Sequence, residues 1–420
     1  MHGARRGADS SPVLFDPARH EPLNAPPWHE QHARDAIDWI VRETQRAFVP
    51  QRYWPGHPKD LGPGDDATGL QTSLYFGAAG VVWALRHLRA LGACGPTVAD
   101  AIDLERLRED NRAWLRAMGV EDFGSYLMGD LPIELMAWQQ APSTARADAL
   151  AWLIDGNIDH PARELMWGAP GSLLAATFLH ELTGDARWAD AIRRLAAQLR
   201  SELTWSDAHG CRYWQQHLYG QRCSYLDAVH GFVATAHGLL RARQVIGDDE
   251  WAFWQRCIVQ TVTRSATHDR ALVNWRPELI LPEGKQPRLL MQFCHGAPGF
   301  VICLAHFPGD ELDALLLAGG EATWAAGPLS KGANLCHGTA GNAYAFLALH
   351  ARTHDERWLE RARAFAMHAI AQARADAQRY GQLRHSLWTG DPGLAIFLWD
   401  CIHAQARFPT LDVFFHADAA

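Results

Sequence analysis

The sequence predicts an all-α fold, a double-layered α/α toroid (barrel) of about seven inner and seven outer helices, and three observations predict it. The first is a repeated Gly-x-x-Gly element followed by an apolar run. It occurs as SLYFGAAGVVWALRHL from Ser73, ELMWGAPGSLLAATFL from Glu164, QFCHGAPGFVICLAHF from Gln292, NLCHGTAGNAYAFLAL from Asn334 and SLWTGDPGLAIFLWDC from Ser386. Two degenerate copies complete the series, SYLMGDLPIELMAW from Ser125, with Pro132 at the second glycine, and YLDAVHGFVATAHGLL from Tyr225, with Ala234 there. The second is that charged amphipathic segments lie between the copies. The third is that period-two alternation and turn-flanked β-branched runs are scarce, so a substantial sheet is not expected.

Each element follows from its pattern. The runs after each Gly-x-x-Gly are poor in charge and read as inner helices. GDARWADAIRRLAAQLRSEL from Gly184, GDDEWAFWQRCIVQTVTRSA from Gly247 and HDERWLERARAFAMHAIAQAR from His354 begin with an Asp suited to an N-cap. They then place apolar residues at three- and four-residue spacing among charges, as outer helices do. The expected order is inner helix, outer helix, seven times. Such units cannot bury their apolar faces alone, and closing the stack into a ring removes both exposed ends. The glycines are expected to accept unusual backbone angles and to let neighbouring helices approach closely. Residues 1–30 read as a flexible tail or an arm laid over the ring, and residues 31–420 as a single domain.

Composition excludes several classes. A chain of 420 residues that is 48% hydrophobic and 20% charged has ample material for a core. Its net charge of -8 and lack of a basic run argue against nucleic acid as a partner. No apolar run approaches the roughly 18 residues of a membrane span, and no hydrophobic segment follows the arginines of the opening MHGARRGADSSP, so a cytoplasmic location is expected. Eight cysteines are too sparse for a disulfide scaffold. Cys303 and Cys401, inside apolar runs, read as core packing.

Two copies place Cys-His directly before the first glycine, Cys294-His295 and Cys336-His337. Equivalent positions of adjacent repeats in a toroid face one central cavity, so these side chains are expected to converge, and convergent thiolates and imidazole suit zinc. Packing of the same residues at helix starts is the plainer reading, and the repeat register weighs against it. His230 holds the corresponding place in a third copy without a cysteine, which suits proton transfer better than ligation. His237, inside the helix, reads as a hydrogen-bonded core histidine, and His209-Gly210 as a turn.

These motifs resemble the lanthionine synthetase C-like family, over roughly Ser73 to Cys401, with CHGAPG at Cys294 and CHGTAGNAYAFL at Cys336 as the most specific parts. The resemblance implies one zinc ion held by Cys294, Cys336 and His337, and a catalytic His230. Glu164 falls where the cyclases carry a functional Asp and the eukaryotic branch a Glu. Lys331 resembles a lysine of the glutathione site in that branch, and His295 agrees with the eukaryotic-like form rather than the Tyr common in cyclases. Leu290 stands where cyclases carry Arg, and Thr389 where the eukaryotic branch has Glu; both departures bear on the substrate.

The implied activity is zinc-dependent addition of a thiol, from a peptide Cys or glutathione, to dehydroalanine or dehydrobutyrine in a dehydrated peptide or protein, giving a lanthionine-type thioether. His230 is the expected general acid/base, Glu164 its orienting or substrate-holding partner, and Lys331 and His295 the expected substrate contacts. Glu164 as a plain helix-start charge and Lys331 as a solvated lysine stay open on composition. Two other readings compete: a non-catalytic zinc- and glutathione-binding regulatory module, and a carbohydrate-active helical ring, for which eighteen tryptophans would be the sugar platforms.

Overall fold

In a computed structural model the chain is described over residues 14–61, 70–281, 284 and 288–416. Fifteen α-helices occur among the described residues. They are α1 (Glu30–Arg46), α2 (Ala78–Ala90), α3 (Leu104–Ala117), α4 (Leu131–Gln140), α5 (Thr144–Gly156), α6 (Ala169–Thr183), α7 (Ala186–Ser201), α8 (Phe232–Arg241), α9 (Arg243–Ile246), α10 (Asp248–Ser265), α11 (Ala297–Leu304), α12 (Asp313–Ala326), α13 (Thr339–Thr353), α14 (Glu356–Tyr380) and α15 (Asp391–His403). Helices α2, α4, α6, α8, α11, α13 and α15 each follow a copy of the repeat and touch one another in that order, and α15 returns to touch α2. That closes the inner ring. Along α6 every residue from Ala169 to Leu179 is buried. The outer α7 buries one face, Trp188, Ala189, Ala191, Ile192, Leu195, Ala196 and Leu199, which is the difference between a helix covered all round and one facing water.

The strict inner-then-outer order fails at the join. After α15 no outer helix follows among the described residues; its outer partner is α1, from the beginning of the chain. The two ends of the chain therefore build one helical pair, which ties the ring shut. Helix α3 packs chiefly on α4, and α2 is covered by a short 3-10 turn, Val98–Ala101. Two of the three expected aspartate caps are present: Asp185 accepts the amide of Arg187 and Asp355 that of Arg357. Asp248 instead lies inside the first turn of α10 behind Gly247, beside Asp249 and Glu250, where its charge still favours the positive end of the helix.

The glycines act mostly by leaving room. Of the glycines that precede the inner helices, only Gly296 has positive φ, at +126°. The second glycine of the motif meets the preceding repeat: a Cβ on Gly171 would lie 2.5 Å from Tyr126 Cβ, and one on Gly80 2.9 Å from Leu387 Cβ. The second contact joins the first repeat to the last. Backbone hydrogen bonds join the same turns, from the amide of Tyr75 to Leu127 O, Leu127 to Met166 O, Cys294 to Cys336 O and Cys336 to Trp388 O. Each of these residues stands two places before its glycine, so the ladder runs around the axis in repeat register.

Three two-stranded antiparallel hairpins are the only strands among the described residues. They are β1 (Leu203–Ser206) with β2 (Cys211–Trp214), β3 (Gln216–Leu218) with β4 (Gln221–Cys223), and β5 (Ala266–Asp269) with β6 (Leu272–Trp275). His209-Gly210 lies in the β1–β2 turn, as its spacing predicts. The expected tail falls partly outside the described residues, at 1–13. From Leu14 onward the chain lies on the ring: Leu14 is buried, Glu21 N donates to Pro328 O, and Ser330 N donates to Arg19 O.

The last described segment crosses the inner ring at the axis. Tyr126 Oη donates to Thr410 O, Trp83 Nε1 to Phe414 O and Arg241 Nη1 to Asp412 O. His237 faces the carbonyls of Cys303 and Leu411, a hydrogen-bonded core histidine. Cys303 and Cys401 are buried, as core packing requires. Trp83, Trp188, Trp214, Trp254, Trp275, Trp358 and Trp388 are fully buried, so they fill the ring and are not platforms for a sugar. The Phe414 ring meets Trp83, Tyr126 and Phe178 at centroid distances of 6.1, 6.1 and 6.0 Å. Phe414→Ala should therefore cost about 3–5 kcal/mol of stability, because a buried ring is replaced by a cavity; chemical denaturation measures it.

Candidate functional site

The turns that start the inner helices carry the site. In each repeat the residue four before the first glycine is polar, Ser73, Ser125, Glu164, Asp227, Gln292, Asn334 and Ser386 in chain order. Several of these side chains accept amides of the following turn, which satisfies donors at a buried helix start. Ser73 Oγ accepts from Phe76 N, Glu164 from Met166 N and Trp167 N, Asp227 Oδ1 from Val229 N and His230 N, and Asn334 Oδ1 from His337 N. Turns held this way point the residues just before the glycine at the axis.

Cys294 Sγ, Cys336 Sγ and an imidazole nitrogen of His337 all lie within 4.8 Å of one another, a set able to hold a metal ion. Both sulfurs are buried. Tyr75 Oη donates to Cys336 Sγ at 2.8 Å, and Gln292 Nε2 to Cys294 Sγ at 3.0 Å. Burial pushes the Cys294 thiol well up, and the neighbouring Cys336 sulfur adds to it. Burial opposes charge on Cys336 as well, but donors from Cys294, His337 and Tyr75 outweigh it and hold this thiol well below its ordinary range. Two soft sulfurs and one imidazole, anionic charge included, are the donor chemistry of zinc.

Beside this cluster the repeat register makes two histidine–carboxylate pairs. His230 Nδ1 is 2.8 Å from Glu164 Oε2, and His295 Nδ1 is 2.7 Å from Asp227 Oδ2. In both, the carboxylate comes from the repeat before. An ionised carboxylate only accepts, so Nδ1 carries the hydrogen and Nε2 is the nitrogen left for other partners. The two imidazoles are 6.5 Å apart, with Tyr225 5.8 Å from one and 6.1 Å from the other. Burial lowers the His230 pKa, but the hydrogen bond and charge of fully buried Glu164, with Asp227 and Cys336 behind it, raise it to about 9.

Lys331 is exposed and reaches none of these groups by a hydrogen bond of its own side chain among the described contacts; its carbonyl accepts from Lys59 Nζ at 3.3 Å. Leu290 contributes its backbone, whose carbonyl accepts from Asn274 Nδ2 at 3.0 Å. Thr389 Oγ1 donates to Asp60 Oδ1 at 3.0 Å, and Asp60 is paired with Arg384, so a carboxylate stands at this turn although the sequence position is threonine. Asp227, Gln292 and Tyr75 are site residues that motif reading passed over. Their repeat register, shared with Glu164 or with the two cysteines, was the available signal. Arg19, whose Nη2 donates to Gln292 Oε1 at 3.2 Å from 273 positions away, had none.

Fold and site together define a helical toroid with a thiolate–imidazole centre. The profile of the family described as "Lanthionine synthetase C-like protein" matches residues 139–413, and the chain belongs to this family. "Glutathione S-transferase LANCL1" of Danio rerio is 33% identical over 201 residues, 45% of this chain and 46% of that protein. "LanC-like protein GCL1" of Arabidopsis thaliana is 34% identical over 140 residues, 31% of this chain and 32% of that protein. Both are eukaryotic, and the chain matches less than half the length of either. Among solved structures, "Nisin cyclase" shares the fold with a TM-score of 0.59 at 15% identity, over 92% of this chain and 98% of that one.

Because the folded pKa of His230 lies above the ordinary 6.5, its pair with Glu164 contributes fully to stability below pH about 6.5 and loses that contribution as pH rises through about 9. In Glu164→Gln the largest raising influence is gone while burial remains. Histidine NMR titration should then show His230 titrating below the wild-type value of about 9.

Proposed function

We propose that this protein adds a thiol, from a peptide cysteine or glutathione, across the Cα=Cβ bond of dehydroalanine or dehydrobutyrine in a dehydrated peptide or protein, giving a thioether. The observation that carries the proposal is the Glu164–His230 pair, 2.8 Å long, set beside the convergent Cys294, Cys336 and His337 donors. A passive binding module has no use for a proton donor held by a buried carboxylate. The relatives named as a glutathione S-transferase and a cyclase support the same class of chemistry.

Cys294, Cys336 and His337 would hold zinc, and zinc supplies deprotonation of an incoming thiol at neutral pH. The chain's own residues do the rest. Sulfur forms its bond to Cβ, the π pair moves to Cα, and the thiol proton is lost to solvent. His230, kept protonated at pH 7 by Glu164, delivers a proton to Cα from Nε2. Asp227 holds His230 by its backbone amide and His295 by its ring, so one carboxylate sets the spacing of both imidazoles. His295 faces the acceptor, and Lys331, on the exposed rim, meets a carboxylate of the thiol substrate. Absence of any helix long and apolar enough to cross a membrane among the described residues is compatible with the cytoplasmic location we propose. Residues 31–420 act as one domain in this reading.

The test uses purified full-length protein. Wild type should carry about one zinc per chain, as a three-ligand catalytic site does, and Cys336→Ala should lose it, by elemental analysis. Offered a dehydroalanine peptide with and without glutathione, the zinc-loaded protein should give a thioether by mass. His230→Asn should retain zinc and lose product by roughly 10²–10⁴-fold. Metal-loaded wild type that makes no thioether with either thiol source overturns the proposal.

A further inference from the structure

One exposed aromatic at the mouth of the site is unexplained by the reaction. The β3–β4 hairpin turns through only two residues, Tyr219 and Gly220, between the paired Leu218 and Gln221. Both have positive φ, +52° and +73°. A two-residue hairpin turn of this hand favours Asn, Asp or Gly at its first position, and a tyrosine is strained there. The residue is also 69% exposed, so burial does not repay the strain.

The hairpin is aimed at the site. Gln216, fully buried at its base, donates through Nε2 to the carbonyl of His230 and accepts from Tyr225 N at 2.7 Å. At the tip, Tyr219 Oη accepts from Trp167 Nε1 at 3.2 Å and donates to Met166 Sδ at 3.6 Å. Its ring stands edge-on to His230, with centroids 6.2 Å apart and planes at 80°. Trp167 lies in the turn capped by Glu164. At the foot of the hairpin, Ile280 is 42% exposed and its backbone is bonded twice to Ser224, the residue after β4. Trp167 and Met166 thus flank the Tyr219 tip beside His230, and the hydroxyl of Tyr219 is already engaged. What this residue offers is the face of its ring.

We infer that Tyr219 is a specificity-determining residue that grips the polypeptide flanking the dehydroresidue, through the ring face its strained turn presents beside His230. Strained conformations persist where surroundings over-determine them and function uses them. An apolar ring face suits chain segments with side chains, whereas a small charged thiol is recognised by ionic groups. The inference rests on the thioether reading for its substrate and on the hairpin geometry for its residue.

The experiment compares wild type, Tyr219→Gly and Tyr219→Asn, both replacements being at ease at positive φ. Glutathione is the thiol, and the acceptors are a decapeptide with one dehydroalanine and N-acetyl-dehydroalanine amide. Both variants should lose about tenfold or more in kcat/KM with the decapeptide, mainly through KM, and keep wild-type rates with the small acceptor. Zinc content should be unchanged and Tm should not fall, since strain is relieved. Equal losses with both acceptors, or no loss with either, overturn the inference. Binding of the fluorescently labelled decapeptide, followed by anisotropy, separates the two ideas. Weaker binding by both variants supports the grip even if wild type forms no thioether, and equal binding by all three proteins overturns it.

Discussion

The ring depends on one constraint: adjacent repeats must come close enough for the turn before one inner helix to hydrogen-bond the turn before the next. The amides of Tyr75, Leu127, Cys294 and Cys336 reach carbonyls at the same position one repeat on. Where the motif has its second glycine, that residue leaves room for the approach, since a side chain at Gly171 or Gly80 would strike Tyr126 or Leu387. The contacts also need the buried amides of each turn to be paired, which the polar residue four places before the first glycine provides in several repeats. Unpaired, these donors would each carry a desolvation cost of about 1–3 kcal/mol.

Chemistry grows from the same structural device. Where the capping residue is serine, as at Ser73, it ties only its own turn. Asp227 serves its turn with Oδ1 and reaches His295 of the next repeat with Oδ2, whereas Glu164 serves its turn with both oxygens and Oε2 also reaches His230 of the next repeat. A fold-maintaining position has become a means of orienting imidazoles, and the proton on His230 is retained because buried charge next to it outweighs burial of the ring. In the thiol pair, burial pushes Cys294 up, while the donors that converge on Cys336 outweigh burial and hold it down.

Closure of the ring is also where distant parts of the chain meet. Helix α1 supplies the outer partner of α15, residues 408–415 cross the axis against Trp83, Tyr126 and Arg241, and Arg19 reaches Gln292 next to Cys294. Stability and site construction are thus coupled through both ends of the chain: loosening either end would disturb turns on which donors to the sulfurs are mounted.

The sequence by itself determined the toroid, its seven repeats and the convergence of Cys294, Cys336 and His337, because spacing between equivalent positions is a local, periodic signal. Glu164, His230 and Asp227 were written in the same register, although the pairing of a carboxylate with a histidine one repeat later, and so the choice of partner for each, needed the ring's handedness and closure. Only the tertiary structure decided that α1 completes the last pair, that Asp60 brings a carboxylate to Thr389, that Arg19 joins the site, and that the β3–β4 hairpin sets Tyr219 beside His230. These contacts join residues tens to hundreds of positions apart with no periodic relation between them, and their energies depend on distances that exist only once the ring has closed.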